Sequence, residues 1–286
     1  MLSGKPFSKK IFLISGGATG LGFAMANRIG SYGGRIVILS RNEERLKAAC
    51  ELLESEGIQC NYYVCDVRDS AKVEESVERV WNEIGPLDGL INNAAGNFIS
   101  RTEDLSTKAF ETVIGIVLMG TINLSLSVGK RWIKEKKGGN ILNITTSYSW
   151  TGSGYVTPSA AAKGGVTAFT RSLAAEWGPK GIRVNAIAPG PFKTEGAWKR
   201  LVLSEEIERE MVNRVPLGRL GKPEEISELA SFLLSDHSGY ITGDVITIDG
   251  GEWIYGAGQF NQLSKLPGEF WEGLKESRSK SGKNSQ

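Results

Sequence analysis

The chain has 286 residues, of which 40% are hydrophobic and 23% are charged, and its formal net charge is +2. A chain of this length can bury a full core, and its small net charge without a basic stripe argues against nucleic acid as a main partner. No apolar run approaches the roughly 20 residues of a membrane span, so we expect no membrane partner.

The cysteines and the ends of the chain bear on location. Cys50, Cys60 and Cys65 are odd in number and lack Cys-x-x-Cys spacing, which predicts reduced thiols in a cytoplasmic protein. Mostly polar residues precede the first apolar run at Ile11, so we expect no signal or transit peptide. His237, the only histidine, lies in a polar loop, and we predict neither a metal site nor a catalytic role for it.

The first predicted strand, residues 11–14, leads directly into a glycine-rich turn and a helical pattern. Glycines at 16, 20 and 22 permit a tight turn, a close approach of backbone to pyrophosphate and tight packing of the helix on the strand. The free N–H groups of the helix N-terminus would face the anion. The order strand, turn, helix therefore predicts a dinucleotide site that includes Gly16, Thr19, Gly20, Leu21 and Gly22.

The second predicted strand, residues 35–39, ends in Ser40 and Arg41. Enzymes that use NAD usually place an acid here, whereas a hydroxyl and a guanidinium suit the 2′-phosphate of NADPH. The alternative is that Arg41 is a surface residue at the start of the next helix.

Asp66 ends the third predicted strand, residues 60–65. At that position its carboxylate could accept a hydrogen bond from the adenine amino group, with Val67 beside it. The alternative is that Asp66 caps the helix that begins at Ser70. A fourth strand, 87–91, leads into small residues at 92–98, again typical of a ligand cleft at a strand's carboxyl end.

A hydroxyl-rich loop follows the apolar run that ends at Ile144, and a helical pattern begins near Ser159. Ser159 and Lys163 are four residues apart and so share one face of that helix. A buried lysine can hold positive charge where an anion develops, and a tyrosine can supply a proton there. The alternative is an alanine-rich core helix with one snorkelling lysine.

The rest of the chain continues the alternation of strands and helices, with strands at 182–188 and 245–248. The sequence therefore predicts an α/β fold, a doubly wound (Rossmann) parallel sheet of about seven strands with helices on both faces. We expect a leader at 1–9, one domain at 10–262 with a lid at about 195–220, and a C-terminal helix with a polar disordered tail at 263–286.

Four motifs resemble the short-chain dehydrogenase/reductase family over roughly 250 positions. They are the glycine turn, Asn92–Gly96, Pro189-Gly190 with Thr194, and Asp249-Gly250-Gly251. The chain departs from the family pattern at three positions: Ser159 replaces the tyrosine four residues before the lysine, Val117 replaces an asparagine, and Thr146 replaces a serine.

One branch of the family shares these departures, the NADPH-dependent 2,4-dienoyl-CoA reductases. The chain is similar to them at 91–100, 144–148, 151–154, 172–178, 189–194, 250–252 and 260–261, and Tyr148 lies fifteen residues before Lys163, as in that branch. The resemblance implies that Tyr148 and Asn97 donate to the thioester oxygen, while Ser159 and Lys163 support them. It further implies reduction of 2,4-dienoyl-CoA to 3-enoyl-CoA in the β-oxidation of unsaturated fatty acids, with hydride delivered to C5.

The resemblance also implies the binding residues and the assembly, a homotetramer. Contacts to the acyl-CoA substrate are expected from Arg68, Phe98, Ser106 and Arg200. Beyond the glycine turn, contacts to NADPH are expected from Ser40, Arg41, Asp66, Val67, Asn93, Ala94, Lys163, Pro189, Gly190, Pro191, Phe192 and Thr194.

Three other functions remain open on the sequence. A 3-oxoacyl reductase is disfavoured because Ser159 cannot act as the phenolic acid of that reaction. Another enoyl thioester reductase would share the same residues. A non-catalytic NADP-binding protein would have no use for both Asn97 and Tyr148.

Overall fold

Seven parallel strands form one sheet at the centre of the folded protein. The computed structural model describes residues 2–194, 202 and 204–283. The sheet order is β3-β2-β1-β4-β5-β6-β7, and its strands are β1 Ile11–Ser15, β2 Arg35–Ser40, β3 Cys60–Val64, β4 Gly89–Asn92, β5 Gly139–Ile144, β6 Ile182–Pro189 and β7 Val245–Ile248. The predicted doubly wound fold of seven strands in a single domain is confirmed.

Helices cover both faces of the sheet. They are α1 Gly20–Ser31, α2 Glu43–Ser55, α3 Ser70–Glu83, α4 Thr107–Ile114, α5 Gly120–Glu135, α6 Tyr148–Thr151, α7 Thr157–Trp177, α8 Glu205–Asn213, α9 Pro223–Leu234, α10 Glu252–Ala257 and α11 Gly268–Lys283. One buried apolar cluster joins the sheet to α1, α2 and α9, and a second joins it to α3, α5 and α7. Because apolar side chains leave the sheet on both sides, its strands read as continuous hydrophobic runs.

The helices α4 and α5 are continuous through a π-helical turn at Gly115–Met119. The combined helix, Thr107–Glu135, is long and apolar enough to cross a membrane by those two criteria, contrary to our expectation from apolar runs alone. Half of its most apolar window is buried inside the protein, where Leu124, Val128 and Trp132 are fully enclosed. Its hydropathy therefore matches that of a core helix.

Two elements begin or continue where the sequence did not indicate. Helix α7 starts at Thr157 rather than at Ser159, with Pro158 in its first turn, where proline is well tolerated. Helix α11 extends to Lys283, so it takes up most of the segment 263–286 in which we expected a helix followed by a disordered tail. Lys275 pairs with Glu272 one turn before it at 2.7 Å, which gives local support to a polar helix.

The expectation of three reduced thiols is wrong for one pair of cysteines. Cys50 on α2 and Cys60 on β3 form a disulfide, with Cα atoms 5.3 Å apart. The packing of α2 beside β3 brings the two residues together. The spacing of the cysteines in the sequence does not reveal this contact. Cys65 remains a free, buried thiol.

Candidate active site

A cavity of 820 Å³ opens at the carboxyl ends of the central strands. It lies beside the point where the sheet order reverses between β1 and β4, which is where ligands bind in open α/β sheets. The predicted residues that line it are Gly16, Thr19, Gly20, Leu21, Asn93, Ala94, Asn97, Tyr148, Ser159, Lys163, Pro189, Gly190, Pro191, Phe192 and Thr194.

The glycine turn after β1 has the shape of a nucleotide cradle. Gly16 and Gly20 have φ angles of +65° and +57°, in the region that favours glycine. A Cβ on Gly22 would lie 2.3 Å from the Gly16 carbonyl oxygen, so a side chain there would force the turn apart. The Asn93 amide nitrogen donates to the Ser15 and Gly16 carbonyls at 3.1 Å each and fixes the turn against the end of β4. These residues fit a dinucleotide.

The carboxyl ends of β2 and β3 form the outer end of this cradle. Asn42 caps α2, accepting from the Arg45 N–H at 2.8 Å, and Arg41 lies just before the cap with its side chain exposed. Asp69 caps α3, so the alternative that Asp66 is the cap is wrong. Neither Arg41 nor Asp66 is a helix cap, and both lie at the carboxyl ends of strands, on the outer end of the cradle.

Asp66 is held by an arginine that we had assigned to the substrate. Its two carboxylate oxygens accept from the Arg68 guanidinium, with a closest distance of 2.5 Å. The hydrogen bond from Arg68 holds the pKa of the Asp66 carboxyl below its usual range, and the charge of Arg41 acts in the same direction. Asp66 is thus an ionised acceptor, and Arg68 is occupied by this pair.

The candidate catalytic groups meet between α6 and α7. Helix α6 begins four residues after β5 and carries Tyr148, whose hydroxyl lies 3.1 Å from the Ser159 hydroxyl on α7. One turn along α7, the Lys163 ammonium donates to the Ile144 carbonyl at the end of β5. Ser159 is 2% exposed and Lys163 is 7% exposed, so the alternative of a snorkelling lysine is wrong.

Burial sets the protonation of both groups. It raises the pKa of the Tyr148 phenol, while hydrogen bonds from Ser159 and Thr146 act in the opposite direction. It lowers the pKa of Lys163 from 10.5 to about 8. At neutral pH the phenol is therefore protonated and able to donate, and most of the lysine still carries its charge.

Asn97 lies in the loop after β4, on the wall of the same cavity. Its side-chain oxygen accepts from the Phe98 N–H at 2.9 Å, which leaves the side-chain amide free to donate. The loop is tied to the loop before α7, because the Ser100 N–H donates to the Tyr155 carbonyl at 3.0 Å. Asn97 is thereby fixed relative to the helix that carries Ser159.

The residues assigned to the acyl-CoA lie apart from the described wall of the cavity. Phe98 packs against a small apolar cluster with Val113, Val117, Ala162 and Val166. Ser106 caps α4, accepting from the Ala109 N–H at 3.3 Å, with its side chain exposed. Arg200 lies outside the described residues, as do 195–199, 201 and 203 of the predicted lid. The described part of the lid, 202 and 204–220, includes helix α8.

The far wall of the cavity is built by part of the predicted lid and by residues that we had not assigned to the site. Its members are Thr151, Gly152, Ser153, Val202, Met211, Arg214, Glu252, Trp253, Gly256 and Ala257. Trp253 on α10 meets Trp150 on α6 edge to face, with ring centroids 5.8 Å apart. Of these residues, Glu252 could have been found from the sequence, because it directly follows the Asp249-Gly250-Gly251 motif.

Comparison with known proteins identifies the family. Residues 16–252 match the family described as enoyl-(acyl carrier protein) reductase. A probable 2,4-dienoyl-CoA reductase [(2E)-enoyl-CoA-producing] of Bacillus subtilis (strain 168) is 44% identical, covering 86% of this chain and 97% of that protein. The probable 2,4-dienoyl-CoA reductase 3 [(3E)-enoyl-CoA-producing] of Caenorhabditis elegans is 40% identical, covering 87% and 82%.

Solved structures agree with the sequence matches. A short chain dehydrogenase from Bacillus anthracis is 43% identical, with a TM-score of 0.79 over 86% of this chain and 97% of that one. A gluconate 5-dehydrogenase from Burkholderia cenocepacia, in complex with NADP and tartrate, is 29% identical, with a TM-score of 0.83 over 87% and 98%. The chain belongs to the short-chain dehydrogenase/reductase family, in its 2,4-dienoyl-CoA reductase branch. It is an oxidoreductase with a nicotinamide cofactor.

Proposed function

We propose that the chain reduces 2,4-dienoyl-CoA thioesters to 3-enoyl-CoA with NADPH, in the β-oxidation of unsaturated fatty acids. The observation that carries the proposal is the contact of the Tyr148 and Ser159 hydroxyls at 3.1 Å, one helical turn from the buried Lys163. Both hydroxyls line the cavity, and the phenol is the stronger acid of the two. The relatives' names support the choice of substrate.

The site residues divide into cofactor and substrate groups. NADPH, when bound, supplies the hydride that reaches C5 of the dienoyl chain. The glycine turn would hold its pyrophosphate, Arg41 its 2′-phosphate and Lys163 its nicotinamide ribose. Tyr148 and Asn97 donate to the thioester oxygen, where negative charge collects, and so form an oxyanion site. Ser159 orients the Tyr148 hydroxyl.

Reduction of a carbonyl is the competing reaction in this family. It would need an acid at position 159, where the chain has a serine that is buried against Tyr148. Serine is a far weaker acid than a phenol, with its pKa well above the ~10 of tyrosine. The site therefore favours reduction of a conjugated thioester.

The position of the new double bond tests the proposal at the level of atoms. Hexadienoyl-CoA and NADPH deuterated at C4 of the nicotinamide should give a 3-enoyl-CoA with deuterium at C5. A 2-enoyl product, as in the name of the Bacillus subtilis relative, would show protonation at C4 and would correct the product assignment. Consumption of the deuterated NADPH without transfer of deuterium to C5 would refute dienoyl reduction.

Arg41 is expected to select NADPH over NADH. Arg41→Ala should lower kcat/KM for NADPH by about tenfold or more and leave the value for NADH nearly unchanged, because a charged hydrogen bond is worth ~1.5–3 kcal/mol. The control is Arg45→Ala, which removes an exposed arginine one turn further along. Steady-state kinetics with both coenzymes check this. Equal losses for NADPH and NADH would contradict the assignment.

The remaining parts of the proposal rest on the sequence and the resemblance. They are a homotetrameric assembly, a cytoplasmic location and contacts of Arg200 with the acyl-CoA. The Cys50–Cys60 disulfide removes the reduced-thiol argument for that location. Light scattering of the purified protein tests the assembly. Arg200→Ala tests the contact, and it should raise KM for the CoA ester while leaving coenzyme binding intact.

A further inference from the structure

The proposed reaction needs a proton on carbon as well as donors at oxygen. Once hydride has reached C5, the electron pair of the dienolate must take a proton at C2 to give the 3-enoyl product. Tyr148 and Asn97 face the oxygen in the scheme above, and Lys163 donates to the Ile144 carbonyl. None of these groups has been assigned to the carbon-bound proton.

Glu252 is the only carboxylic acid among the described residues that line the cavity. Its side chain is 18% exposed, and its partner is the Arg214 guanidinium at 3.8 Å, near the limit for an ion pair. No hydrogen bond to this carboxylate occurs within the part of the chain that the structure describes. Since the Arg214 side chain is 62% exposed, solvent screens the pair, which contributes little to stability and does not account for placing an acid here.

Local structure aims Glu252 at the cavity. The Asp249 carboxylate accepts from the N–H groups of Gly251 and Trp253 at 2.8 and 2.9 Å, which fixes the start of α10. The Trp253 ring then packs on Trp150, a residue of the same short helix that carries Tyr148. The acid is thus attached through two tryptophans to the helix of the proposed oxyanion donor.

The surroundings of Glu252 favour its protonated form. Burial raises the pKa of this carboxyl, and the negative charge of Asp249 adds to the effect. The charge of Arg214 acts in the opposite direction without cancelling it. An acid with a raised pKa, open to solvent at one edge, can give up a proton and recover it from water between turnovers.

We propose, on the basis of the dienoyl reductase function above, that Glu252 is the general acid that protonates C2 of the dienolate. The O–H bond of Glu252 breaks as the C2–H bond forms, and the electron pair that was shared between C2 and the thioester oxygen becomes that bond. The carboxylate then takes a proton from solvent. Glu252 is a catalytic residue in this scheme, and Asp249 and Trp253 position it.

The first test is Glu252→Gln, which preserves shape and removes the acid. We expect kcat with hexadienoyl-CoA to fall by ~100-fold, the scale of general acid catalysis, with a larger solvent deuterium isotope effect. NADPH affinity, measured by fluorescence titration without substrate, should stay unchanged. Glu252→Asp should recover part of the rate. The control is Glu224→Gln, an exposed glutamate in the first turn of α9.

The second test examines the product and begins with the wild type. Turnover in D2O should place deuterium at C2 in a single configuration, and residual product from Glu252→Gln should lose that selectivity. Both configurations in the wild type would overturn the role of Glu252. So would a Glu252→Gln enzyme with kcat within about threefold of wild type, or one whose rate falls only in step with NADPH affinity and melting temperature. A wild type inactive on dienoyl-CoA counts against the proposed function instead.

Discussion

Tyr148→Phe should lower kcat for dienoyl-CoA by at least ~100-fold, because it removes one donor to the developing oxyanion. The substitution deletes an oxygen and little volume, and the buried phenol contributes no part of the glycine turn, so NADPH should bind as before. The raised pKa of Tyr148 means that the wild-type group stays protonated well above neutral pH. Steady-state kinetics and NADPH fluorescence titration measure the two effects separately.

Ser159→Ala is the matched comparison for this prediction. It removes the hydroxyl that lies 3.1 Å from the Tyr148 oxygen and leaves the phenol in place. We expect a smaller loss of kcat than for Tyr148→Phe, because Ser159 orients the donor. A fully active Tyr148→Phe enzyme alongside an inactive Ser159→Ala enzyme would show that the serine carries the chemistry.

Lys163→Met should make the protein more stable and nearly inactive. Burial lowers the pKa of Lys163 from 10.5 to about 8, which corresponds to a cost of roughly 3 kcal/mol for keeping its charge in the folded chain. Methionine has a similar length and no charge, but it leaves the Ile144 carbonyl without its donor. We therefore expect a net gain of ~1–3 kcal/mol in the free energy of unfolding at neutral pH, measured by urea denaturation.

The pH dependence of that gain has a definite sign. Below about pH 8 the lysine is charged in both states, so the wild type bears the full cost. Between about pH 8 and pH 10.5 the lysine is protonated more in the unfolded chain than in the folded chain, so wild-type stability rises with pH. The difference between Lys163→Met and wild type should shrink over this range. Lys47→Met, at an exposed position on α2, should show no such trend, and a constant difference for Lys163→Met would contradict the account.

The sheet and one wall of the cleft were predictable because they follow from local patterns. The run Ile11–Ile14 followed by Gly16 and Gly20 indicates a buried strand and a nucleotide turn within a few residues. The spacing of Ser159 and Lys163 likewise places both on one helical face. Each of these inferences depends on neighbours in sequence.

The rest of the site depends on contacts between distant segments. Trp150 and Trp253 are 103 positions apart, and only the folded chain shows that their rings meet. The same holds for the Cys50–Cys60 disulfide, which depends on α2 lying beside β3. Arg68 and Asp66 are close in sequence, but residue types alone do not show whether Arg68 binds the substrate or the neighbouring Asp66 carboxylate.

The most direct test of the central claim is the choice of substrate by the wild-type enzyme. NADPH oxidation is followed with hexadienoyl-CoA and, in parallel, with acetoacetyl-CoA at matched concentrations. The account predicts that kcat/KM for the dienoyl thioester exceeds that for the oxoacyl thioester by at least ~100-fold, since the site has oxyanion donors but no phenol at position 159. Equal or faster turnover of acetoacetyl-CoA would contradict it.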